Sequence, residues 1–280
     1  MRSASATCGK LNGPLLFFLL VASVASAAAP ARIASLNLCT DSLLFELLDD
    51  TRIVSVTALS RDANLSYFHT RAAHLAVNHG AVEEIVALSP DLVVTSDNTT
   101  GLATHLLTRL GIAVLNLPSA NRLVDYRLNL RRLAQVLGVA PRAEQLLTEL
   151  DDALRAAPPG PRLRTVIYQP NGFTPGSDSL MHEMLDYAGL DNLATEIGLT
   201  HGAYLSLEAL LFSKPAMIVF SARQTARPSL AEMQLDQPAL RHLFARREAP
   251  VRRAVVPENR WACAGVFNRD AIAALREARP

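Results

Sequence analysis

The chain is expected to fold as an α/β protein: two similar lobes with mostly parallel sheets, joined by a single rigid helix, with a ligand cleft between them. Three observations predict this. Val82-Glu83-Glu84-Ile85-Val86-Ala87-Leu88-Ser89-Pro90-Asp91-Leu92-Val93-Val94 returns without a gap as Leu207-Glu208-Ala209-Leu210-Leu211-Phe212-Ser213-Lys214-Pro215-Ala216-Met217-Ile218-Val219. Each copy has an apolar residue, a Glu, a short helical stretch, a Pro and an apolar strand start, and a matched pair this far apart marks two like units. Strand-like and helix-like segments alternate around both copies, the pattern of a parallel sheet covered on both faces. Between the copies the alternation gives way to helix, closed by Pro158-Pro159-Gly160-Pro161.

Arg32 to Leu36 reads as the first strand. A helix follows with Leu43, Leu44, Leu47 and Leu48 on one face and Thr40 or Asp41 as its cap. Arg52 to Val56 is a second strand, and Leu59 to Gly80 is polar, aromatic and irregular. The first repeat copy contributes a short helix from Glu83 and a buried strand from Leu92. Gly101 to Leu110 is helical and Ala113 to Leu117 is a strand. Leu123, Tyr126, Leu130, Leu133 and Leu137 keep helical spacing up to Gly138. Pro141, well tolerated in a first turn, opens a helix with Ala143, Leu146, Leu147, Leu150 and Leu154 on one side. Carried to Ala156, it would run roughly 24 Å, long enough to bridge two lobes. Beyond the prolines come a strand at Thr165 to Tyr168, a helix at Leu180 to Ala188 and the second repeat copy. A last strand at Ala254 to Val256 and a helix at Arg269 to Ala278 close the chain. The expected divisions are an N-terminal lobe over 28–140, a connecting helix over 141–157 and a C-terminal lobe over 158–280.

Residues 1–27 read as a secretory signal peptide: Arg2 and Lys10, an apolar run from Leu15, and Ala25-Ser26-Ala27 at the cleavage site. The run is shorter than the roughly 18–20 residues that span a bilayer, and Cys8 precedes it, where no lipoprotein cysteine lies. Cleavage would leave about 250 residues, two domains of ordinary size. Half of the 280 residues are apolar, and the formal charge of +1 falls to −1 without Arg2 and Lys10. A near-neutral chain with no basic stripe argues against nucleic acid. Cys39 and Cys263 remain after cleavage, and in an oxidising compartment they are a candidate disulfide. Free buried thiols and a thiol role at the cleft are the alternatives.

Four stretches together resemble the periplasmic binding proteins of iron–siderophore and cobalamin ABC importers. They are Arg32-Ile33-Ala34-Ser35-Leu36-Asn37 with Cys39-Thr40-Asp41, the Glu83 to Val94 segment, Ala188-Gly189-Leu190-Asp191-Asn192-Leu193-Ala194, and the Ser206 to Val219 segment. The resemblance spans Arg32 to Arg279 and implies two Rossmann-like lobes joined by one rigid helix. It departs at the tail, where similar proteins often have Trp-x-Cys-Gly-Gly-Pro and this chain has Trp261-Ala262-Cys263-Ala264-Gly265-Val266. It implies a monomer in the periplasm that binds a metal chelate, a ferric siderophore or corrinoid, with no cofactor. Its partners would be an ABC permease and its ATPase, and it would meet the membrane only through the permease. By position, Glu83 and Glu208 are the acids implied to dock on that permease; each also suits the first turn of its helix, where negative charge favours the dipole.

Ligands of open α/β sheets gather beyond the carboxyl ends of the strands. That rule selects Asn37, Cys39, Arg61, Ser96 and Asn98 on the first lobe, and Gln169, Phe173, Tyr204, Arg223 and Trp261 on the second. Arg61 and Arg223 offer forks for carboxylate, hydroxamate or phosphate oxygens; solvated loop arginines are the plainer alternative. Tyr67, Phe68, Tyr168, Phe173, Tyr204 and Trp261 offer flat contacts to a macrocycle or an aromatic siderophore. The histidines have no metal-site spacing, so no metal site is expected. A bare-metal (Zn or Mn) or haem importer remains the alternative, with His79, His201, Cys39 and Cys263 the residues to inspect. No enzyme is expected, since the phosphate-loop, dinucleotide and nucleophile-elbow motifs are missing. The competitor of that class is a thiol-dependent periplasmic enzyme using Cys39.

Overall fold

The computed structural model describes residues 28–97, 99, 101–155, 160–222, 229–245 and 250–280. The first lobe contains β1 (Ile33–Ser35), α1 (Leu38–Leu47), β2 (Ile53–Thr57), α2 (His69–Ala72), β3 (Val77–Asn78), α3 (Val82–Ala87), β4 (Leu92–Ser96), α4 (Gly101–Arg109) and β5 (Ala113–Leu117). Its five strands are all parallel, in the order β3-β2-β1-β4-β5. Two helices, α5 (Leu123–Leu137) and α6 (Ala140–Leu154), lead to the second lobe. That lobe contains β6 (Leu163–Ile167), β7 (Phe173–Thr174), α7 (Leu180–Tyr187), β8 (Leu190–Asn192), α8 (Leu193–Glu196), β9 (Ala203–Tyr204) and α9 (Leu207–Ser213). It continues with β10 (Met217–Ala222), α10 (Leu230–Met233), α11 (Pro238–Phe244), β11 (Arg252–Pro257) and α12 (Asn268–Glu277). Four strands are parallel in the order β11-β10-β6-β8, and β7 with β9 forms a small antiparallel ribbon.

Side-chain alternation along the strands explains the layering, because successive residues face opposite sides of a sheet. Ile33, Leu92 and Val94 point to one face of the first sheet, and Ala34 and Val93 to the other. In the second sheet Ile167, Met217 and Val219 share a face, and Val166, Ile218 and Phe220 take the opposite one. The two inward faces, together with α5, α6, α7 and α12, bury a single continuous apolar cluster. Two outer clusters lie on the far faces; Ile85 of α3 is in one and Leu210 of α9 in the other.

The repeat persists into the backbone. Ser89 and Lys214 occupy matched positions and are left-handed, with φ of 47° and 49°. An arginine at the start of the first strand of each lobe, just before β1 and within β6, binds the carbonyl of that residue: Arg32 Nε reaches Ser89 O at 3.1 Å, and Arg164 Nη1 reaches Lys214 O at 3.3 Å. The N–H two residues beyond returns the bond, Asp91 to Arg32 O and Ala216 to Arg164 O, each at 2.8 Å. Neither left-handed residue is a glycine, so these bonds hold a conformation that L side chains rarely adopt.

Several local expectations differ from the structure. The cap of α1 is Asn37, whose Oδ1 accepts from the Cys39 N–H at 2.9 Å, while Thr40 and Asp41 lie inside the helix and are buried. Asp41 Oδ2 accepts from the Thr57 N–H and from the Thr57 and Ser60 hydroxyls, tying α1 to β2. The stretch read as irregular holds α2 and β3. Asn78 of β3 is sequestered because its side-chain amide bonds Ser35 O, Ser55 Oγ and Val56 O. Pro141 opens α6 as expected, and α6 packs against α5.

Four sets of contacts are prominent in closing the seam between the lobes. The Cys39 and Cys263 sulfurs are bonded, across 224 residues of sequence. Tyr67 stacks on Phe267 with ring centroids 4.7 Å apart and donates to Asp270 at 2.8 Å. Glu183 of α7 caps α5, accepting from the Leu123 N–H at 2.6 Å and from Arg122 Nε at 2.9 Å. Glu46, fully buried on α1, accepts from the Tyr126 hydroxyl and from the Val266 N–H, both at 2.8 Å. Gly265 makes room for it: a Cβ there would overlap the Phe267 ring and come within 2.8 Å of Glu46 Oε1. Where similar proteins have a second glycine and proline, this chain therefore keeps the one glycine that the buried carboxyl requires.

Two predictions follow from the seam. Burial raises the Glu46 carboxyl to about 7, with the Tyr126 and Val266 bonds and the charges of Arg142 and Arg269 opposing it. The native state then binds this proton more tightly than the unfolded chain. Stability from this group is therefore complete below the ordinary pKa near 4.5 and is lost as pH rises through about 7, by about 3 kcal/mol. Asp41, raised to about 6 by burial, acts with the same sign at lower pH. Glu46→Gln should flatten the stability profile between about pH 4.5 and 7 in urea denaturation, leaving the Asp41 slope between about pH 4 and 6. Cys39→Ala with Cys263→Ala should reduce unfolding free energy by about 2–4 kcal/mol, read from the same denaturation curves. The intact protein over 28–280 should titrate no thiol when denatured without reductant.

Candidate functional site: a two-compartment cleft

The carboxyl ends of β1, β4 and β5 meet the 261–264 loop of the second lobe around an inner cavity of about 150 Å³. Asn37, Thr40 and Leu43 line it from the start of α1, and Ser96 from the end of β4. Leu117 to Asn121 come from the turn after β5, Tyr126 and Asn129 from α5, and Cys39, Ala262 and Ala264 stand at the seam. An outer compartment of about 450 Å³ shares Ala120, Asn121 and Ala262 with the inner one. Phe173, Pro175, Asp178, Met181, His201 and Trp261 are among its walls. The two compartments are continuous and lie between the lobes.

Asn37, Cys39 and Ser96 were expected here and line the inner cavity; Phe173 and Trp261 line the outer one. Trp261 differs in character from the flat surface contact expected of it. Only 1% of it is exposed, and its Nε1 donates to Ser221 Oγ at 3.1 Å. Gln169 donates to the same hydroxyl at 3.1 Å, so Gln169, Ser221 and Trp261 form one fixed polar group behind the outer wall. Phe173 meets Tyr204 edge to face at 5.7 Å, but Tyr204 is 74% exposed and lies outside both compartments' linings. Gly202 is needed beside Phe173, since a Cβ there would overlap the ring. Arg61 is spent within its own lobe on the carbonyls of Ala72 and Leu75, at 3.4 and 2.7 Å. Asn98 and Arg223 lie outside the described residues. Tyr67 and Phe68 pack in the seam and Tyr168 in the second lobe's outer core.

Sequence reasoning missed Ser119, Asn121, Tyr126 and Asn129. Spacing alone makes Tyr126 an ordinary apolar helix position. Nothing in helical spacing separates Asn129 from a solvated residue; its Nδ2 donates to Pro118 O at 2.7 Å, fixing the turn that closes the cavity.

The bridge between Cys39 and Cys263 leaves no thiolate for a nucleophile or a metal at either position. Among the described residues no group of three or more His, Cys, Asp or Glu converges on a metal position. His79 is engaged with Glu84, and His201 stands 3.8 Å from Asp178, both exposed. What the cleft offers is recognition: hydroxyl and amide groups inside, a broader aromatic and apolar mouth outside.

The two candidate docking acids are on the outer layers. Glu83 is exposed on α3, while its neighbour Glu84 is occupied by the His79 N–H at 2.7 Å and the ring Nδ1 at 3.0 Å. Glu208 is exposed on α9, its carboxyl held below the usual range by its own backbone N–H and the Ser206 hydroxyl. Phe212, one turn further on, is 84% exposed.

The profile of the periplasmic binding protein family matches residues 33–254. Comparison with curated proteins finds no match. Among solved structures, a possible iron-binding periplasmic solute-binding protein from Staphylococcus epidermidis is similar at a TM-score of 0.70 and 16% identity, covering 90% of this chain and 99% of that one. A periplasmic heme binding protein from Pseudomonas aeruginosa has a TM-score of 0.67 at 24% identity, over 89% and 92% of the two chains. The periplasmic heme binding protein HutB of Vibrio cholerae has a TM-score of 0.70 at 18% identity, over 88% and 97%. The two parallel-sheet lobes, the cleft between them and the match along most of the length agree: the chain belongs to the periplasmic binding protein family, the solute-capturing components of ABC importers.

Proposed function

We propose that this protein is exported by a cleaved leader over residues 1–27 and works in the periplasm as a monomer. There it captures a metal chelate, a ferric siderophore or corrinoid, and delivers it to an ABC permease driven by its ATPase. The observation that carries this reading is the interlobe cleft, whose outer compartment of about 450 Å³ lies in the size range of small-molecule sites. Its Phe173 ring and its Pro175 and Met181 side chains suit the flat or apolar flank of a chelate. Haem is the second reading, favoured by the heme-binding proteins among the similar structures. The working units are the lobes over 28–140 and 158–280 about the connecting segment 141–157.

Docking falls to Glu83 and Glu208, one on each lobe's outer layer. Charge at such an interface mainly steers and orients the encounter. Carboxylates this exposed are free to pair with arginines on a permease, and α3 and α9 present them from matched positions of the repeat. Glu83→Lys with Glu208→Lys should abolish uptake in cells while leaving the ligand dissociation constant within twofold. Weakened binding would remove the docking role from these residues.

Ligand capture is tested by titrating purified 28–280 with cobalamin, ferric hydroxamate, catecholate and citrate complexes, haem, Zn²⁺ and Mn²⁺. Trp261, the single tryptophan, lines the outer compartment and serves as the fluorescence reporter. Saturable micromolar quenching by one chelate is the expected result. A response to the bare ions alone would overturn the chelate reading.

A further inference from the structure

The inner cavity is small, walled in and unevenly satisfied. Ser96 and Asn129 are 7% and 6% exposed. Both line the cavity, and Asn129 Nδ2 is held by Pro118 O. Ser119 Oγ, at the same cavity, is buried without a partner. A hydroxyl in that position is costly unless something bonds it. Asn37, Thr40 and Asn121 add polar groups to the wall, and Leu43, Leu117, the Tyr126 ring and the disulfide-bonded Cys39 are among the rest of it. The Tyr126 hydroxyl is already committed to Glu46, which leaves the ring as an apolar surface there.

No charged side chain lines this cavity among the described residues. A carboxylate entering it would shed its water with no counter-charge to meet, the arrangement that burial penalises most. A carboxamide or hydroxyl would give and accept hydrogen bonds at the two serines and the asparagine. We infer that the inner cavity is a specificity subsite that takes an uncharged, hydrogen-bonding substituent of the ligand, a carboxamide above all. The bulk of the ligand then fills the outer compartment. The inference rests on the chelate-binding reading and adds the chemistry that the chelate must present. At about 150 Å³ the cavity admits a side group and not a macrocycle.

The test sets one pair of ligands that differ in a single substituent beside chelates of other classes, on purified 28–280. Cyanocobalamin, whose rim carries carboxamides, is set against its monocarboxylates, in which one amide is hydrolysed to an acid. Ferrioxamine B, with backbone amides, is set against ferric citrate, and haem is included as a dicarboxylate. Wild type should bind an amide-bearing chelate about tenfold or more tighter than its acid counterpart. Ser96→Ala with Ser119→Ala should weaken that ligand about tenfold and narrow the preference. Ser119→Ala alone, on a partly exposed turn, separates the effect from any folding defect and should give part of the loss. Tightest binding of citrate or haem, or serine variants that bind like wild type, would overturn the subsite while leaving the importer reading intact. Silence of folded wild type toward every chelate would overturn both.

Discussion

The inward faces of the two sheets share one apolar core, with α5 and α6 as its middle layer. Ile33 and Val94 from one sheet, Leu133 and Leu150 from the helices, and Ile167 and Val219 from the other belong to the same cluster. Lobes built this way cannot part without exposing apolar area, at roughly 25 cal/mol per Å². The polar contacts of the seam depend on that packing. Glu46 can hold Tyr126 and Val266 together only because water is kept from it, and the same exclusion raises its pKa. The cleft is then a gap left in an otherwise continuous interior, and its walls are preorganised by the core behind them.

The repeated segment contributes in a different way. It lies on the outer layers, where Ile85 and Leu210 plug α3 and α9 onto their sheets and leave Glu83 and Glu208 in solvent. Each copy turns sharply through a left-handed residue and enters a strand, and an arginine at the start of the neighbouring strand clamps that turn. Equivalent bonds in both lobes give the two acids equivalent supports. The copies are not identical, however. Ala87 in the first is matched by the exposed Phe212 in the second, so the two outer faces are chemically unequal around like charges.

Much of this was legible in the sequence. The repeat, the strand–helix alternation and the proline block predicted two parallel-sheet lobes. The rule that ligands gather at strand ends pointed to Asn37, Cys39 and Ser96, which line the inner cavity, because strand ends are local features. Elements made by few residues were invisible: β3, β7, β8 and β9 are two or three residues long and exist through pairing partners distant in sequence. The burial of Trp261 was not legible for a related reason. A loop position predicts exposure, but Ser221, 40 residues away, supplies the acceptor that lets the indole be buried. Asn129 and Tyr126 were read as helix positions, and only the turn after β5 makes them cavity walls.

The bridge from Cys39 to Cys263 has a consequence for how the molecule is made. A chain that emerges N-terminus first presents Cys39 early, and its partner only 224 residues later. The first lobe can gather its sheet in the interval, since its five strands are complete by Leu117. Its thiol must wait, open to wrong partners, until almost the whole sequence is out. Oxidation to the correct disulfide is therefore a record of completed synthesis: a truncated product lacks the second sulfur, keeps a reactive cysteine, and is distinguishable by quality-control machinery from a finished one.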